Sequence, residues 1–366
     1  MVDRGSESLS SALALVAPGM PLRDGLDRIL QAKRGALVVV GDDPAVLSIC
    51  TGGFLLDAEF SPQRLSELAK MDGAIILTPD ASRIARANVH LVPKASIPTS
   101  ETGTRHRTAE RVARSIEVPV ITVSEAMATV AVYRGPRKHT LQRTGRLVDR
   151  ASQAVSAAQR FKGRFDLALA MLSTLEVEDS VSVRDVVGVL RPGEMVLRFA
   201  EEIEGYLVEL GEDGRLIRLQ IEELGAGVGE DLHLVALDYV TTPATDRSGR
   251  DQRKLRATQA LSALHALDDD DLADPSTVAA VLGLGTAPAV LDLGVEARGY
   301  RLLHRVPRVS ELIIERIVDR FGTLPQIVQA SLAELEQVGG VGGAKARLIK
   351  DSLSRMIEAS ILERYE

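Results

Sequence analysis

The sequence predicts an α/β N-terminal domain, with a mixed sheet flanked by helices, followed by two all-α domains. Over the first 140 residues, short apolar runs alternate with amphipathic segments, a pattern typical of strands alternating with helices. After Leu141 the strand signals end, and long segments rich in Ala, Leu and Arg indicate helices. From Arg298 onward, an apolar helix, a tight turn and a second amphipathic helix occur twice. We therefore predict domains at residues 1–140, 141–297 and 298–366.

Short apolar runs bounded by polar or glycine residues locate the strands of the first domain. Three amphipathic segments predict helices, and one of them begins with Ser61 as a cap and Pro62 in the first turn. Another places Ala109, Val112 and Ala113 on one face. The predicted strands are GALVVVG, GAIILT, ANVHLV, VPVITVS and TVAVYRG, and the predicted helices are LRDGLDRILQAK, SPQRLSELAKM and HRTAERVARSI.

The two later domains are predicted to be helical throughout. The segment LVDRASQAVSAAQRFKGRFDLALAMLSTL reads as one long helix, and EMVLRFAEEIEGYLVEL and DQRKLRATQALSALHAL as further ones. These helices predict a spine that links the first domain to the tail. In the tail, the two copies of the repeat have their turns at VPRVS (residues 306–310) and VGGVG (residues 338–342).

Composition limits the classes of protein to which the chain can belong. The net charge is −7, so any contact with nucleic acid must be local. Residues 298–366 hold eleven Lys and Arg against nine Asp and Glu, which makes the tail the candidate surface for DNA. Aromatic residues are 3% of the chain, too few for a binder that stacks bases on rings. A single cysteine, Cys50, favours the reducing cytoplasm, and the sequence shows no signal peptide and no membrane span.

One candidate site is the segment ETGTRHRTAERVA, which opens a predicted helix. Thr104 is a plausible N-cap, and Gly103 allows a ligand to approach the backbone closely. The amides of a first helical turn attract anions, whereas cations placed there oppose the helix dipole. An anionic ligand removes that conflict, so Arg105, His106 and Arg107 predict a cradle for a polyphosphate. The alternative is a solvated basic patch whose charges pair with Glu101 and Glu110.

A second candidate is the Asp72-Gly73 pair between a predicted helix and a buried strand. Loops at strand ends in open α/β sheets collect ligand groups, and a carboxylate there can hold Mg²⁺ or Mn²⁺. Such an ion would orient a sugar hydroxyl for attack. The alternative is an ordinary turn, because Asp-Gly is a common turn dipeptide.

Together the two segments resemble the diadenylate cyclase domain, through DGA, TGTRHRTAERVA, PLRDGLDRIL and PVITVS. The resemblance implies that two ATP are condensed to cyclic di-AMP by a homo-octamer. It implies that Asp72 holds the metal and activates the ribose 3′-hydroxyl, that Gly73 contacts the nucleotide and that Leu91 flanks the adenine. It further implies a triphosphate site made of Thr104, Arg105, His106, Arg107 and Thr108, with Ser124 near the phosphates. Lys94 and Glu125 depart from the usual family pattern at its periphery.

His106 has two possible roles. It is either a general base or, as we expect, a hydrogen-bond donor to a phosphate, with its pKa depressed by the neighbouring cations. His90, beside Leu91 in a strand, is expected to be structural. The other histidines show no metal-ligand spacing, so a histidine-based metal site is not expected.

The tail segment VGGVGGAKA resembles a helix-hairpin-helix. Gly340 and Gly342 allow a tight turn around Val341 that exposes backbone amides, and Lys345 adds charge, so a DNA phosphate can bind there. Branched DNA is the expected partner, and the alternative is a hairpin used for protein packing.

For the chain as a whole, the alternatives to a cyclase are a non-catalytic, nucleotide-sensing protein that binds DNA junctions and another phosphoryl transferase. The second is disfavoured because no Walker motif appears.

Overall fold

The computed structural model describes residues 4–142, 144–241 and 249–363. The chain divides into two compact units. The first holds Met1–Gln153 and Glu202–Leu219, and the second holds Ala154–Glu201 and Gln220–Glu366. The predicted mixed sheet with flanking helices is confirmed in the first unit, and the predicted helical character is confirmed in the second.

The first unit is built on a sheet of eight strands in the order β2-β5-β4-β1-β6-β7-β8, with β3 also paired to β5. Strands β1 and β4 are parallel, and the other described pairs are antiparallel. The elements are α1 Arg4–Ala14, α2 Pro21–Gln31, β1 Ala36–Val40, α3 Pro44–Ser48, β2 Cys50–Thr51, β3 Phe54–Glu59, α4 Pro62–Leu68, β4 Ala74–Leu77, β5 Arg83–Leu91, α5 Thr104–Ile116, β6 Val120–Ser124, β7 Thr129–Arg134 and β8 Arg137–Thr140.

The central strands are buried on both faces because helices cover both sides of the sheet. Side chains alternate across a strand, so Val38 and Val40 of β1 pack with α2 and α4, and Leu37 and Val39 pack with α5. The predicted apolar face of α5 is confirmed, since its alanines and Val112 are buried. Burial on both faces explains why β1 and β4 read as continuous apolar runs.

The predicted start of α4 is also confirmed. The Ser61 hydroxyl accepts a hydrogen bond from the Arg64 amide over 3.2 Å, and Pro62 is the first helical residue. Strands β3 and β8 were not predicted from the sequence. Strand β3 pairs only at the edge with β5 and leaves Phe54 and Leu55 exposed, so it lacks the apolar alternation of a half-buried strand.

The second unit is helical, and α6, α7 and α8 cross the division between the units. The long helix predicted after Leu141 is confirmed as α6, whereas α7 begins earlier than predicted and continues through Pro192. Short 3-10 helices lie at Gly211–Gly214 and Pro288–Asp292. The helices are α6 Thr144–Val177, α7 Val183–Leu210, α8 Arg215–Gly225, α9 Val228–Tyr239, α10 Gly249–Ala266, α11 Asp269–Ala273, α12 Pro275–Val281, α13 Tyr300–His304, α14 Glu311–Phe321, α15 Leu324–Gln329, α16 Leu332–Glu336 and α17 Gly343–Glu363.

One hydrophobic core runs from the linker helices into the tail, from Phe165 to Leu353. A buried carboxylate, Asp238, accepts hydrogen bonds from the amides of Gly299, Tyr300 and Arg301 at distances of 2.7, 2.8 and 3.0 Å. Burial raises the pKa of Asp238 to about 7. These bonds fasten the start of α13 to the end of α9.

A buried ion pair makes a second connection between linker and tail. The Arg301 guanidinium donates to both carboxylate oxygens of Glu176 in α6, over 3.2 and 2.6 Å, and both side chains are 1% exposed. The hydroxyl of Tyr239 donates to the same carboxylate over 2.8 Å. The division into three domains with a boundary at residues 297 and 298 stays a prediction. Within the described ranges, no helix is long and apolar enough to cross a bilayer.

Candidate functional site

The predicted site residues of the first domain meet at one edge of the sheet. Asp72 precedes β4 and Gly35 precedes β1, while Leu91 ends β5 and Ser124 ends β6. Because β5 and β6 run antiparallel to β4 and β1, these four positions share an edge. It is the edge at the amino ends of the parallel pair. Open α/β sheets usually bind ligands at the carboxyl ends, so the strand-end rule did not locate the site here.

Gly73 has no room for a side chain. Its φ is +125°, and a Cβ there would lie 2.8 Å from the backbone of Asn88 in β5. Only glycine fits both the dihedral and the space. The backbone beside Asp72 is thus held against the neighbouring strand, while the Asp72 side chain itself is fully exposed.

The structure brings Asp72 and Arg105 together. The Arg105 Nη2 atom lies 3.4 Å from Asp72 Oδ1, so two segments predicted separately form one cluster. The Arg105 guanidinium also covers Gly35, where a Cβ would collide with it. The arrangement therefore depends on glycine at position 35, which the sequence analysis did not single out.

The prediction that Thr104 caps α5 is wrong. The N-cap is Gly103, with φ −79° and ψ 141°, and it provides no side-chain cap. Thr104 is already helical and exposed, so its hydroxyl is outside the capping position. The first turn of α5 also has no acidic residue. Its free amides therefore remain available to an anion.

The arginines of this turn do not pair with the acids proposed in the alternative. Glu101 accepts hydrogen bonds from Lys138 and Tyr133, and Glu110 accepts from Thr99 and Ser100 and pairs with Arg114. Arg107 is exposed and, within the part of the chain that the structure describes, makes no ion pair. Thr108 is half-buried. Among the described contacts, neither arginine of this turn pairs with Glu101 or Glu110, as the alternative of a solvated basic patch requires.

His106 points one ring nitrogen into the protein. Its Nδ1 lies 3.1 Å from Tyr133 Oη and 3.0 Å from Thr122 Oγ1. The pKa of His106 is lowered, as predicted, but burial is the largest cause. The cations Lys138 and Arg105 add smaller effects, so the predicted cause was the lesser one.

Tyr133 and Thr122 were missed as parts of this site. A signal was present, because each is the polar member of an apolar strand. Thr122 and Tyr133 project to the face that packs against α5, since they alternate with residues of the opposite face. A buried hydroxyl on that face needs a partner, and His106 is the partner it finds.

The remaining predicted residues lie at the border of the cluster. Leu91 is buried at the end of β5. Ser124 accepts the amide hydrogen of Met127 over 3.3 Å, which closes the turn into β7. Lys94 and Glu125, the two departures from the family pattern, are exposed.

A metal site in this cluster would rest on one carboxylate. Among the described residues, no group of three or more His, Cys, Asp or Glu side chains is arranged to hold a metal ion. Mg²⁺ commonly keeps several waters and binds through one or two carboxylates together with substrate phosphates. Asp72, exposed and beside a cationic turn, fits that mode, with phosphate oxygens completing the ligand set.

The two turns of the tail share a backbone conformation. Gly340 has φ +93° and Arg308, its counterpart in the first copy, has φ +63°. Each turn lies between a short helix and a longer one, α13 and α14 in the first copy and α16 and α17 in the second. The predicted repeat is therefore present in the structure.

The two glycines that allow the second turn, Gly340 and Gly342, differ in conformation. The positive φ lies at Gly340, and Gly342 is outside the left-handed region. A Cβ at Gly342 meets nothing within 4 Å, so the position opens outward at the start of α17. Val341 is buried, and Lys345 donates to the Gly340 carbonyl over 3.2 Å.

Fold and site together define an α/β nucleotide-binding domain followed by a helical linker region. Residues 23–137 match the family described as DisA bacterial checkpoint controller nucleotide-binding, and residues 141–291 match the DisA bacterial checkpoint controller linker region. The chain is 51% identical to the DNA integrity scanning protein DisA of Kineococcus radiotolerans over 100% of both chains. It is 49% identical to that of Frankia alni over 99% of this chain and 98% of the relative. The chain belongs to the DNA integrity scanning protein DisA family.

A solved structure of DacA from Staphylococcus aureus is 22% identical, covers 37% of this chain and 83% of that chain, and has a TM-score of 0.27. That likeness is too low to add to the assignment, which stands on the full-length relatives.

Proposed function

We propose that the chain is a diadenylate cyclase that condenses two ATP into cyclic di-3′,5′-AMP and two diphosphates. The observation that carries this proposal is the meeting of Asp72 with Arg105 beside the uncapped first turn of α5. A carboxylate next to a cationic, amide-rich turn suits a substrate that brings both a metal ion and a triphosphate.

The first turn of α5 would hold the triphosphate. Its free amides, the hydroxyls of Thr104 and Thr108, and the guanidiniums of Arg105 and Arg107 supply donors for phosphate oxygens. When the nucleotide binds, the Arg105 guanidinium would leave the Asp72 carboxylate and donate to a phosphate oxygen instead. Gly73 lets the nucleotide approach the backbone, Leu91 would flank the adenine and Ser124 would lie near the phosphates.

Asp72 would hold Mg²⁺ or Mn²⁺, which supplies a positive charge that polarises the reacting oxygens. In the reaction the ribose 3′-hydroxyl releases its proton to solvent and its oxygen bonds to the α-phosphorus of the other ATP. The bond from that phosphorus to the α,β-bridging oxygen breaks, and diphosphate leaves. The residues of α5 would bind and orient the triphosphate so that this leaving group departs in line.

The symmetry of the product suggests how copies of the chain assemble. Cyclic di-AMP is built by two equivalent attacks, so two identical sites that face each other are the simplest arrangement. We propose a homo-octamer that contains such pairs. A cytoplasmic location is part of the proposal because the chain has one cysteine, Cys50.

The tail would sense branched DNA. The turn at Gly340, Val341 and Gly342 would offer backbone amides to a phosphate, and Lys345 would add charge, while base edges would not be read. The second candidate is a non-catalytic protein that senses a nucleotide and binds DNA junctions. The convergence of Asp72 and Arg105 favours the enzyme, because sensing alone would not require a metal-binding carboxylate.

Incubation of the purified protein with ATP and Mn²⁺, followed by identification of the product, tests the proposal. We expect cyclic di-AMP from the wild type. We expect Asp72→Asn to abolish its formation while ATP still binds, because the phosphate-binding turn is unchanged. Wild-type turnover by Asp72→Asn, or ATP binding without any product from the wild type, would contradict the assignment.

A further inference from the structure

His106 stands at the end of a chain of polar groups behind the first turn of α5. Tyr133 Oη lies 3.1 Å from His106 Nδ1 and donates its proton to Glu101 Oε1 over 3.1 Å. Lys138 donates to the same oxygen over 2.6 Å. Thr122 Oγ1 lies 3.0 Å from the same ring nitrogen. Nδ1 therefore faces two hydroxyl oxygens inside the protein.

The single proton of the Tyr133 hydroxyl determines which ring nitrogen carries hydrogen. Burial alone would raise the pKa of Glu101, but hydrogen bonds from Lys138 and Tyr133 outweigh it and lower that pKa. An ionised carboxylate only accepts hydrogen bonds, so the Tyr133 proton points at Glu101. Tyr133 Oη then offers lone pairs to His106. The Thr122 hydroxyl donates a hydrogen bond to the same phenol oxygen, which acts to lower the pKa of Tyr133, so its proton is not directed at the imidazole and Nδ1 is the donor. In the neutral ring this tautomer leaves Nε2 with a lone pair.

The other edge of the imidazole lies beside the N-cap of α5. A Cβ at Gly103 would be 3.4 Å from His106 Cδ2, the ring atom bonded to Nε2. The proposed function places the triphosphate at this turn. A lone pair on Nε2 repels a phosphate oxygen, so the neutral ring in this tautomer cannot donate to the triphosphate.

We propose that Tyr133 and Glu101 are positioning residues that hold His106 as the Nδ1–H tautomer, and that binding of a nucleoside triphosphate adds a proton to Nε2. The inference rests on the proposed function. The proton comes from solvent, and no bond of the ligand breaks. The imidazolium then donates from Nε2 to a phosphate oxygen and from Nδ1 to Tyr133. The charge of Glu101 stabilises the cation through the tyrosine hydroxyl.

The charged groups around His106 support this proton uptake. Burial lowers the pKa of His106, Glu101 opposes that effect, and Lys138 and Arg105 lower the pKa further. A triphosphate at Arg105 offsets the positive charge and adds negative charge near the ring, so it raises the pKa of His106. Between the pKa of the free ring and that of the bound ring, binding must therefore take up a proton.

Calorimetric titration with Mg²⁺ and 3′-deoxy-ATP measures the uptake, because this analogue lacks the attacking hydroxyl. Repeating the titration near neutral pH in two buffers of different ionisation enthalpy gives the number of protons bound. We expect the wild type to take up about one proton per site and His106→Gln to take up almost none. His304→Gln, a substitution in the second unit, is the matched control and should behave as the wild type. Binding without proton uptake in the wild type would overturn the proposal.

Tyr133→Phe tests the positioning role. Without the phenol oxygen, Thr122 can donate to Nδ1, and the ring shifts toward the Nε2–H tautomer, which needs no added proton to contact phosphate. We expect the uptake to fall below about half of the wild-type value while 3′-deoxy-ATP still binds. Unchanged uptake in Tyr133→Phe would overturn the role of the tyrosine. Failure of the wild type to bind 3′-deoxy-ATP at all would instead contradict the proposed function, and this inference with it.

Nitrogen NMR of the full chain labelled with ¹⁵N-histidine observes the tautomer directly. The chain has six histidines, and the His106 signals are those lost in His106→Gln. We expect the free protein to show an unprotonated Nε2 that becomes protonated when Mg²⁺ and 3′-deoxy-ATP are added. An Nε2 that already carries hydrogen in the free protein would overturn the proposal. This measurement needs no substitution at Tyr133, so it does not depend on the stability of that variant.

Discussion

Arg105 and Arg107 are two residues apart in the same helical turn, yet their surroundings differ. Arg105 is half-buried, lies against Gly35 and reaches Asp72, whereas Arg107 is exposed. If both clamp phosphate in a site that the bound nucleotide desolvates, alanine at either position should raise the activation free energy for kcat/KM by about 2–4 kcal/mol. Steady-state kinetics of cyclic di-AMP formation measures this effect, with Arg256→Ala, at an exposed position of α10 in the second unit, as a control. Wild-type kinetics in both variants would mean that these arginines are only surface charges.

Gly35 provides a test that leaves both arginines in place. Its Cβ would collide with the Arg105 guanidinium, and the flexible end of that side chain would move away. Gly35→Ala should therefore lower kcat/KM of cyclic di-AMP formation by about tenfold or more, since a displacement of about 1 Å can be that costly. The free energy of unfolding should change little, because the severe contact is with a side-chain tip and the nearest backbone atom, the Val123 carbonyl oxygen, would be 3.3 Å away. Gly145→Ala, where a Cβ meets nothing, is the matched control.

The residues to which we assign the proposed chemistry stand out in the sequence, but most of their contacts could not be predicted from it. Asp72 and the Arg-His-Arg turn stand out because charge is unusual at a strand start and at a helix N-terminus. Tyr133 stands out only as a polar residue in an apolar strand, and its pairing with Glu101 does not stand out, because it joins strand β7 to a loop more than thirty residues away. Long-range pairing of this kind leaves no local pattern in the chain.

Among the elements, the central strands were predictable because burial on both faces gives a continuous apolar run. Helix α5 was predictable because burial of one face gives a helical period. The edge strands were not. Strand β8 has a polar sequence, and β3 exposes its apolar residues, so neither shows the period of a half-buried strand. Helix α5 begins at Thr104, so its N-cap is Gly103 and not Thr104 as predicted. A capping hydroxyl must come from the residue before the helix, and Thr104 is already within it.

The two turns of the tail predict opposite changes in the free energy of unfolding when arginine is replaced by glycine in the first and glycine by alanine in the second. Arg308 is exposed and adopts φ +63°, a conformation that costs an L-residue about 1–2 kcal/mol and glycine far less. Arg308→Gly should raise the free energy of unfolding by up to about 1 kcal/mol, after the gain in unfolded-state entropy is subtracted. Gly340→Ala should lower it by a similar amount. Urea titration of both variants measures these effects, and a loss of stability in Arg308→Gly would contradict the account.

At the level of the complete chain, charge and packing together suggest how the tail is used. The net charge is −7 while residues 298–366 are slightly basic, so DNA would be drawn to the tail and repelled by the remainder. The tail shares its core with the linker, and Glu176 and Asp238 are satisfied by residues of α13 and the turn before it. Deleting the tail would take the Arg301 guanidinium from Glu176 and three backbone amides from Asp238, which is costly for buried carboxylates. Point substitutions in the second turn therefore test the tail more cleanly than truncation does.

Gly342→Leu should remove DNA binding and leave cyclase activity without DNA unchanged. The position opens outward at the start of α17, so leucine should be accommodated by the fold but should block the approach of a phosphate to the amides of the turn. Binding of a four-way junction by the wild type should fall steeply with salt. It should exceed binding of linear duplex, because several tails of the proposed octamer would engage separate arms. The variant should lose this binding and keep its cyclase activity without DNA.

Ser310→Leu, at the equivalent position of the first turn, is the matched control, because that turn lacks the glycines of the second copy. It should weaken junction binding less than Gly342→Leu does. The measurement is cyclic di-AMP production with and without a four-way junction, which we expect to inhibit the wild type. Because Asp72 and Arg105 lie in the first unit and the turn at residues 338–342 lies in the second, activity without DNA and inhibition by DNA should respond separately to substitution. If the junction inhibits Gly342→Leu as fully as the wild type, the turn at residues 338–342 is not the DNA sensor.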